Sequence, residues 1–148
     1  MRHERMPTTE EMALIGLTEG ATLPWGGQIA LAVYFAGCDT SRAYVKHIEK
    51  ELGLPLFSGT MDLRLYKTVV LCQPSQFVIA DEQWEAVPVI LDECAVGVHA
   101  CKCVGYDHTF LEIFAPQELA RALGLKNGDI VFTRILPGYE LRGKTKTS

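Results

Sequence analysis

The stretch FSGTMDLRL, residues 57–65, places two oxygen-bearing side chains on one face of a short apolar segment. Thr60 and Asp62 alternate with apolar residues, which is the period of a half-buried β-strand, and residues at i and i+2 of a strand share a face. The hydroxyl and the carboxylate are therefore two neighbouring oxygen ligands beside Gly59, where the backbone can bend. The alternatives are a solvated strand face and a strand-opening turn.

A second group with metal-ligand chemistry is His99, Cys101 and Cys103, which would share one face of a strand. Structural zinc sites normally combine a C-x-x-C turn with a second pair of ligands, and the sequence offers no such pair. Because buried cysteine is a common core residue, core packing is favoured over zinc. The odd count of five cysteines, without a recognisable secretory signal, predicts reduced, metal-free thiols.

Two elements must position Thr60 and Asp62. The segment Gln28–Phe35 is apolar and rich in β-forming residues, and it predicts the first strand. The segment DTSRAYVKHIEKELG predicts a helix with Asp39 or Thr40 as N-cap and Gly53 as its end. The apolar face of this helix, which we expect to pack on the rest of the fold, consists of Tyr44, Val45, Ile48 and Leu52.

The remaining chain reads as short β-segments separated by turn residues. Pro116 stands at a plausible first helical position, and QELARALG predicts a short helix that Gly124 ends. An Asn-Gly turn then leads into the last strand, with Asp129 expected to bond turn amides. The predicted strands after residue 65 are TVVLC, QFVIA, AVPVIL, AVGVHACKCV, FLEIFA and the segment following the Asn-Gly turn.

Many short strands with only two helices predict a mainly β (α+β) fold, a compact β-barrel with two short helices. The strands are not separated by regular helices, so parallel βαβ winding is not expected. One domain should span residues 1–148, with flexible tails at about residues 1–12 and 142–148.

Composition and net charge indicate which kinds of partner the protein binds. The net charge of −4, from 14 basic and 18 acidic residues without a sizeable basic stripe, argues against nucleic acid and favours small-molecule ligands. No apolar run reaches the roughly 20 residues that span a bilayer, so we expect a cytoplasmic protein without membrane contact. The sequence leaves the oligomeric state open.

Two blocks of the sequence resemble the archaeal CTP-dependent riboflavin kinases. These blocks are YVKHIEKELGLPLFSGTMDLRL and LEIFAPQELARALGLKNGDIVFTRI. In that family an aromatic-started helix ends in Leu-Gly before a Gly-Thr-x-Asn-x-x-Leu motif, and Leu-Glu-Ile-x-Ala-Pro and Leu-x-x-Gly-Asp follow downstream. The matching residues are Tyr44, Leu52, Gly53, Gly59, Thr60, Leu65, Leu111, Glu112, Ile113, Ala115, Pro116, Leu125, Gly128 and Asp129.

The resemblance implies a cradle-loop (RIFT-like) barrel that transfers phosphate from CTP to the ribityl hydroxyl of riboflavin, giving FMN. It implies Mg²⁺ on Thr60 and Asp62, and Glu112 as the residue at the flavin or its reacting hydroxyl. Phosphoryl transfer needs mainly positioning and neutralised charge, which such a cation supplies in part. The catalytic residues would be Glu112 and Asp62. Nucleotide contacts are expected from Gly59, Thr60, Gln117 and Glu118, and flavin contacts from Glu112 and His108.

Three departures from the family pattern keep other functions open. Asp62 stands where the family has Asn, and Gln117–Ala120 lacks the family's basic residue. The apolar segment Leu31–Ala36 occupies the position of the family's nucleotide-binding glycine loop. The first hypothesis is therefore a kinase, the second an inactive barrel that binds a flavin or nucleotide, and the third a regulatory or interaction barrel.

Overall fold

A computed structural model describes residues 28–36, 44–58, 60–65 and 68–138. Its described strands are β1 (Gln28–Phe35), β2 (Met61–Leu65), β3 (Ser75–Ile79), β4 (Glu82–Leu91), β5 (Ala95–Lys102), β6 (Phe110–Phe114) and β7 (Ile130–Ile135). Its described helices are α1 (Val45–Leu52) and α2 (Leu119–Ala122). The expected tails and the N-cap candidates Asp39 and Thr40 lie outside these ranges, as does Gly59.

Six of the strands close an antiparallel barrel in the order β1-β2-β6-β5-β4-β7, with β7 returning to β1. Strand β3 extends the sheet at one side of β4. The predicted fold class, a mainly β barrel with two short helices, is confirmed. None of the helices in the described ranges is long and apolar enough to cross a membrane.

Strand β4 changes partners along its length. Its first half, Glu82–Ala86, pairs with β3, and its second half, Val89–Leu91, pairs with β7. Pro88 lies between the two pairings. A proline cannot donate to a ladder, so it is tolerated where the strand passes from one neighbour to the next.

The main core fills the barrel with alternate side chains of the strands, as the two-residue period requires. It includes Ala32, Leu63, Leu111 and Val131, all essentially inaccessible to solvent. Because successive side chains of a strand alternate between faces, the residues between these core positions project to the other face of the sheet. Asp62 on β2 is one of them.

A second core lies under α1. Val45, Ile48 and Leu52 are buried, and Tyr44 packs on Trp84 with ring centroids 5.0 Å apart. The predicted apolar face is therefore confirmed, as is the helix end at Gly53, whose φ of 69° is the left-handed conformation that glycine adopts easily. The N-cap of the helix is Tyr44 and not the predicted Asp39 or Thr40. The Tyr44 side chain makes no capping hydrogen bond.

Two other elements in the structure differ from the prediction. The segment TVVLC, residues 68–72, is not a strand. The Val69 N–H instead bonds the His108 carbonyl, and the Val70 N–H bonds the Gln28 side chain. Pro116 is not the first helical residue, since α2 has only four residues and its N-cap is Glu118.

Candidate functional site

The site is centred on two buried carboxylates from distant parts of the sequence. Strands β2 and β6 pair so that Asp62 lies directly opposite Glu112. Only 1% of Asp62 and 6% of Glu112 are exposed to solvent. Residues directly opposite in an antiparallel pair project to the same face, so the two side chains are neighbours.

The hydrogen-bond pattern brings these side chains close. The Leu65 N–H donates to the Thr109 carbonyl across the same pair of strands, at 2.8 Å. Bonded and non-bonded pairs alternate along an antiparallel ladder, and Asp62–Glu112 lies three positions from Leu65–Thr109. It is therefore a non-hydrogen-bonded pair, the class in which facing side chains approach most closely.

Thr60 completes the group of oxygen atoms. Its hydroxyl lies 3.4 Å from Asp62 Oδ1, and the residue is partly buried just before β2 begins. The predicted shared face of Thr60 and Asp62 is thus present. A hydroxyl and two carboxylates form a hard-oxygen donor set.

The pair presents carboxylate oxygens on one face of the sheet, and such oxygens are the ligands that hard cations prefer. Arg64, two residues along β2, bonds Asp107 and Thr109 and lies over the Phe110 ring. Its guanidinium therefore stabilises the turn before β6.

The donor set fits Mg²⁺, which binds through one or two carboxylates together with substrate phosphates and water. Thr60 and Asp62 are the residues that would hold it. Within the described ranges no group of three or more His, Cys, Asp or Glu side chains is arranged to hold a metal on its own.

His99 contacts the backbone of Glu112 through its ring nitrogen Nδ1. Its Nδ1 lies 3.1 Å from the Glu112 backbone nitrogen and 3.2 Å from the Glu112 carbonyl oxygen. The ring is fully buried, and burial is the main reason that its pKa falls from 6.5 to about 4. His99 is therefore neutral at physiological pH.

Tyr106 and His108 lie beside His99. The Tyr106 ring packs on His99 and on His108, with centroids 5.7 Å and 5.5 Å away, and its hydroxyl donates to the Phe110 carbonyl. Burial first, and then the nearby charges of Glu112, Cys101, Asp62 and Asp107, raise the pKa of Tyr106, so it remains a phenol. His108 thus lies in the turn before β6, next to the aromatic ring that contacts His99.

The other predicted ligand-binding residues lie elsewhere. Gln117 is exposed and lines a cleft of about 340 Å³ whose walls include Leu56, Val98 and Phe114. Glu118 is exposed at the start of α2 and makes no side-chain capping bond. The lining of this cleft includes none of Thr60, Asp62, Glu112 and His108.

The apolar segment Leu31–Ala36, where the resemblance leads us to expect a glycine loop, forms a regular strand up to Phe35. Within this segment, Ala32–Phe35 pair with β2 and Leu31–Val33 pair with β7, so Ala32 and Val33 belong to both ladders. Backbone amides engaged in two ladders cannot cradle phosphates as a glycine loop does. Any phosphate contacts must come from another part of the chain.

The structure confirms the predicted core role for His99 and Cys101, whereas the prediction that Cys103 shares their strand face is wrong. His99 and Cys101 share one face of β5 and are both buried, whereas Cys103 lies beyond the end of the strand. Burial, followed by electrostatic effects of Glu85, Cys103 and Glu112, raises the pKa of Cys101 to about 12. Burial also raises the pKa of Cys103, so both remain thiols rather than thiolates.

Sequence reasoning did not identify the contact between His99 and Glu112, or the role of Tyr106. The available signal was a polar imidazole inside the apolar run VGVHACKC, which indicates a buried group in need of a partner. In comparisons with known proteins, neither a family model nor a curated protein matches this chain.

Proposed function

We propose that this protein is a Mg²⁺-dependent phosphotransferase that moves a phosphate from a nucleoside triphosphate, CTP by resemblance, to riboflavin and forms FMN. The observation that supports this proposal is the direct pairing of Asp62 with Glu112. The two residues come from the two sequence blocks that resemble riboflavin kinases, and the fold brings them together on one face. A cradle-loop barrel in the cytoplasm is part of the same proposal.

Asp62 and Thr60 would bind the metal, and Mg²⁺ would neutralise charge on the phosphates when bound. Asp62 adds a negative charge compared with the family's Asn. A carboxylate about 4 Å from a phosphate costs roughly 1 to 4 kcal/mol at effective dielectric constants of 80 to 20. Nucleotide binding should therefore depend strongly on the cation.

Glu112 would bind the hydroxyl that accepts the phosphate. As the hydroxyl oxygen bonds to the γ-phosphorus, the bond from that phosphorus to the bridging oxygen breaks, and the nucleoside diphosphate leaves. The hydroxyl proton passes to the Glu112 carboxylate. General-base assistance of this kind contributes about 10²- to 10⁴-fold in rate.

The second candidate is an inactive barrel that keeps a flavin or nucleotide site. The observation that favours it is the regular pairing of β1 at the position of the glycine loop. Without those amides the nucleotide would lose contacts that the family uses for its phosphates. A flavin could still bind through Glu112.

The test is FMN formation from riboflavin with CTP or ATP, with and without Mg²⁺, followed by chromatography. The proposal predicts Mg²⁺-dependent FMN formation, and a loss of about 10²-fold or more in Glu112→Gln. Glu51→Gln, on the exposed side of α1, is the matched control and should retain the wild-type rate. Flavin binding without transfer would support the second candidate, and no binding of either ligand would reject both.

A further inference from the structure

The ladder between β5 and β6 ends where the candidate site begins. The pairs are Val98–Phe114 and His99–Ile113, and the next pair in this register would set Ala100 opposite Glu112. The ladder is not continued to that pair, and the Glu112 N–H is bonded to the His99 ring instead. Strand β6 therefore continues past Glu112 with β2 on one side and without a strand ladder to β5 on the other.

The backbone N–H of Glu112 points toward the place where this ladder ends. Because Asp62–Glu112 is a non-hydrogen-bonded pair, the N–H and C=O of Glu112 are directed away from β2. A buried backbone N–H without an acceptor costs about 1 to 3 kcal/mol, so this place requires a replacement for the missing strand.

His99 supplies that replacement. Its Nδ1 lies 3.1 Å from the Glu112 nitrogen. Its Nε2 is buried and has no hydrogen-bond partner within the described residues. The histidine therefore leaves one of its own polar atoms unsatisfied while it binds the backbone of Glu112. An apolar side chain at position 99 would fill the same space without leaving a buried polar atom unsatisfied.

Tyr106 makes a parallel contact. Phe110 is two residues before Glu112, so its carbonyl points to the same side, and the Tyr106 hydroxyl donates to it. The rings of Tyr106 and His99 are in contact, with centroids 5.7 Å apart. Two side chains thus take the place of a strand along the edge of β6 that presents Glu112.

We propose that His99 is a positioning residue for Glu112: its Nδ1 accepts the Glu112 N–H and fixes the strand that holds the carboxylate opposite Asp62. This inference rests on the proposed function for its catalytic consequence. The hydrogen bond itself can be tested separately.

The test uses three variants. His99→Leu removes the ring nitrogen while leaving an apolar side chain, and His99→Asn places an amide near the position of Nδ1. Val87→Ala is the control. Val87 is buried on β4, directly opposite His99 on β5, and β4 does not pair with the strand that carries Glu112. This variant reproduces a loss of packing beside His99 without removing the contact to Glu112.

The first readout is amide hydrogen exchange at Glu112, measured by NMR on the full chain. Protection should be present in the wild type and in His99→Asn, and should fall at least tenfold in His99→Leu, relative to Leu111 on the same strand. An unchanged Glu112 exchange rate in His99→Leu would overturn the proposal.

The second readout is FMN formation. His99→Leu should lower kcat by up to about 100-fold with little change in the KM for nucleotide, because a shift of about 1 Å in a reacting group can cost that much. His99→Asn should recover most of kcat, and Val87→Ala should keep it. If His99→Leu and Val87→Ala lowered kcat equally, the effect of His99 would be one of core packing alone, and the proposal would be overturned. An inactive wild type would reject the proposed function, while amide exchange would still decide whether His99 holds the strand.

Discussion

Asp62 and Glu112 face each other across β2 and β6 as a non-hydrogen-bonded pair, and both carboxylates are almost completely buried. This pairing is the geometry on which the proposed cation and acceptor sites rest. Thr60 on one side and the backbone contact of His99 on the other hold this pair in place.

Replacing His99 should change how stability depends on pH. Its folded-state pKa of about 4 lies below the unfolded value of 6.5, so the unfolded chain binds the proton more readily between these values. Stability is thus lost as pH falls from 6.5 to 4. A difference of 2.5 pKa units at 1.36 kcal/mol each gives about 3 kcal/mol.

Urea unfolding of the wild type and His99→Asn at pH 7.5, 5.5 and 4 measures this difference. Carboxylates common to both proteins cancel in the comparison. The wild type should lose about 3 kcal/mol more than the variant over this range. Parallel losses in the two proteins would mean that the imidazole is not buried.

Truncation of Ile48 should destabilise the fold. The side chain is completely buried between α1 and the sheet, so Ile48→Ala leaves a cavity and should cost about 2 to 5 kcal/mol. Lys46→Ala on the exposed side of the same helix is the control, and its effect should remain within about 0.5 kcal/mol. Denaturant unfolding measures both, and similar values for the two variants would contradict the packing of α1.

The cysteines should differ in reactivity. Cys94 is exposed, whereas Cys101 is buried with a pKa of about 12, and alkylating reagents attack the thiolate. Iodoacetamide at pH 8 should therefore modify Cys94 rapidly and Cys101 only after unfolding. Peptide mass spectrometry resolves the sites, and early labelling of Cys101 in folded protein would contradict its burial.

Purified protein should contain no stoichiometric zinc on His99, Cys101 and Cys103. The raised pKa values of both cysteines oppose the thiolate form that zinc requires, and Cys103 lies beyond the strand that carries the other two. Elemental analysis after dialysis against zinc measures this directly. One zinc per chain, abolished by Cys101→Ser, would contradict it.

Local patterns predicted the elements whose signals lie within a few residues. The bounds Gln28–Phe35 of β1 agree with the prediction, because the apolar, β-rich composition of that segment coincides with its pairing on both sides. The end of α1 at Gly53 follows from the left-handed backbone that glycine permits. By contrast, residues 68–72 have strand composition but bond to loop and side-chain groups, which composition does not reveal.

The candidate site was only partly predictable. The shared face of Thr60 and Asp62 follows from strand periodicity. The placement of Glu112 opposite Asp62 depends on the register between strands that are distant in sequence, and the resemblance suggested both residues without giving their geometry. The role of His99 depends on where β5 and β6 separate, which no local pattern encodes.

The central claim is that Asp62 participates in cation-dependent nucleotide binding, and isothermal titration of CTP and ATP at low and high Mg²⁺ tests it most directly. Wild-type protein should bind nucleotide only with Mg²⁺, and Asp62→Ala should lose that binding while remaining folded. Asp62→Asn keeps an oxygen ligand and removes one charge, so it should bind with a weaker requirement for Mg²⁺. Nucleotide affinity that is indifferent to Mg²⁺ and to both substitutions, or no nucleotide binding by the wild type, would contradict the account.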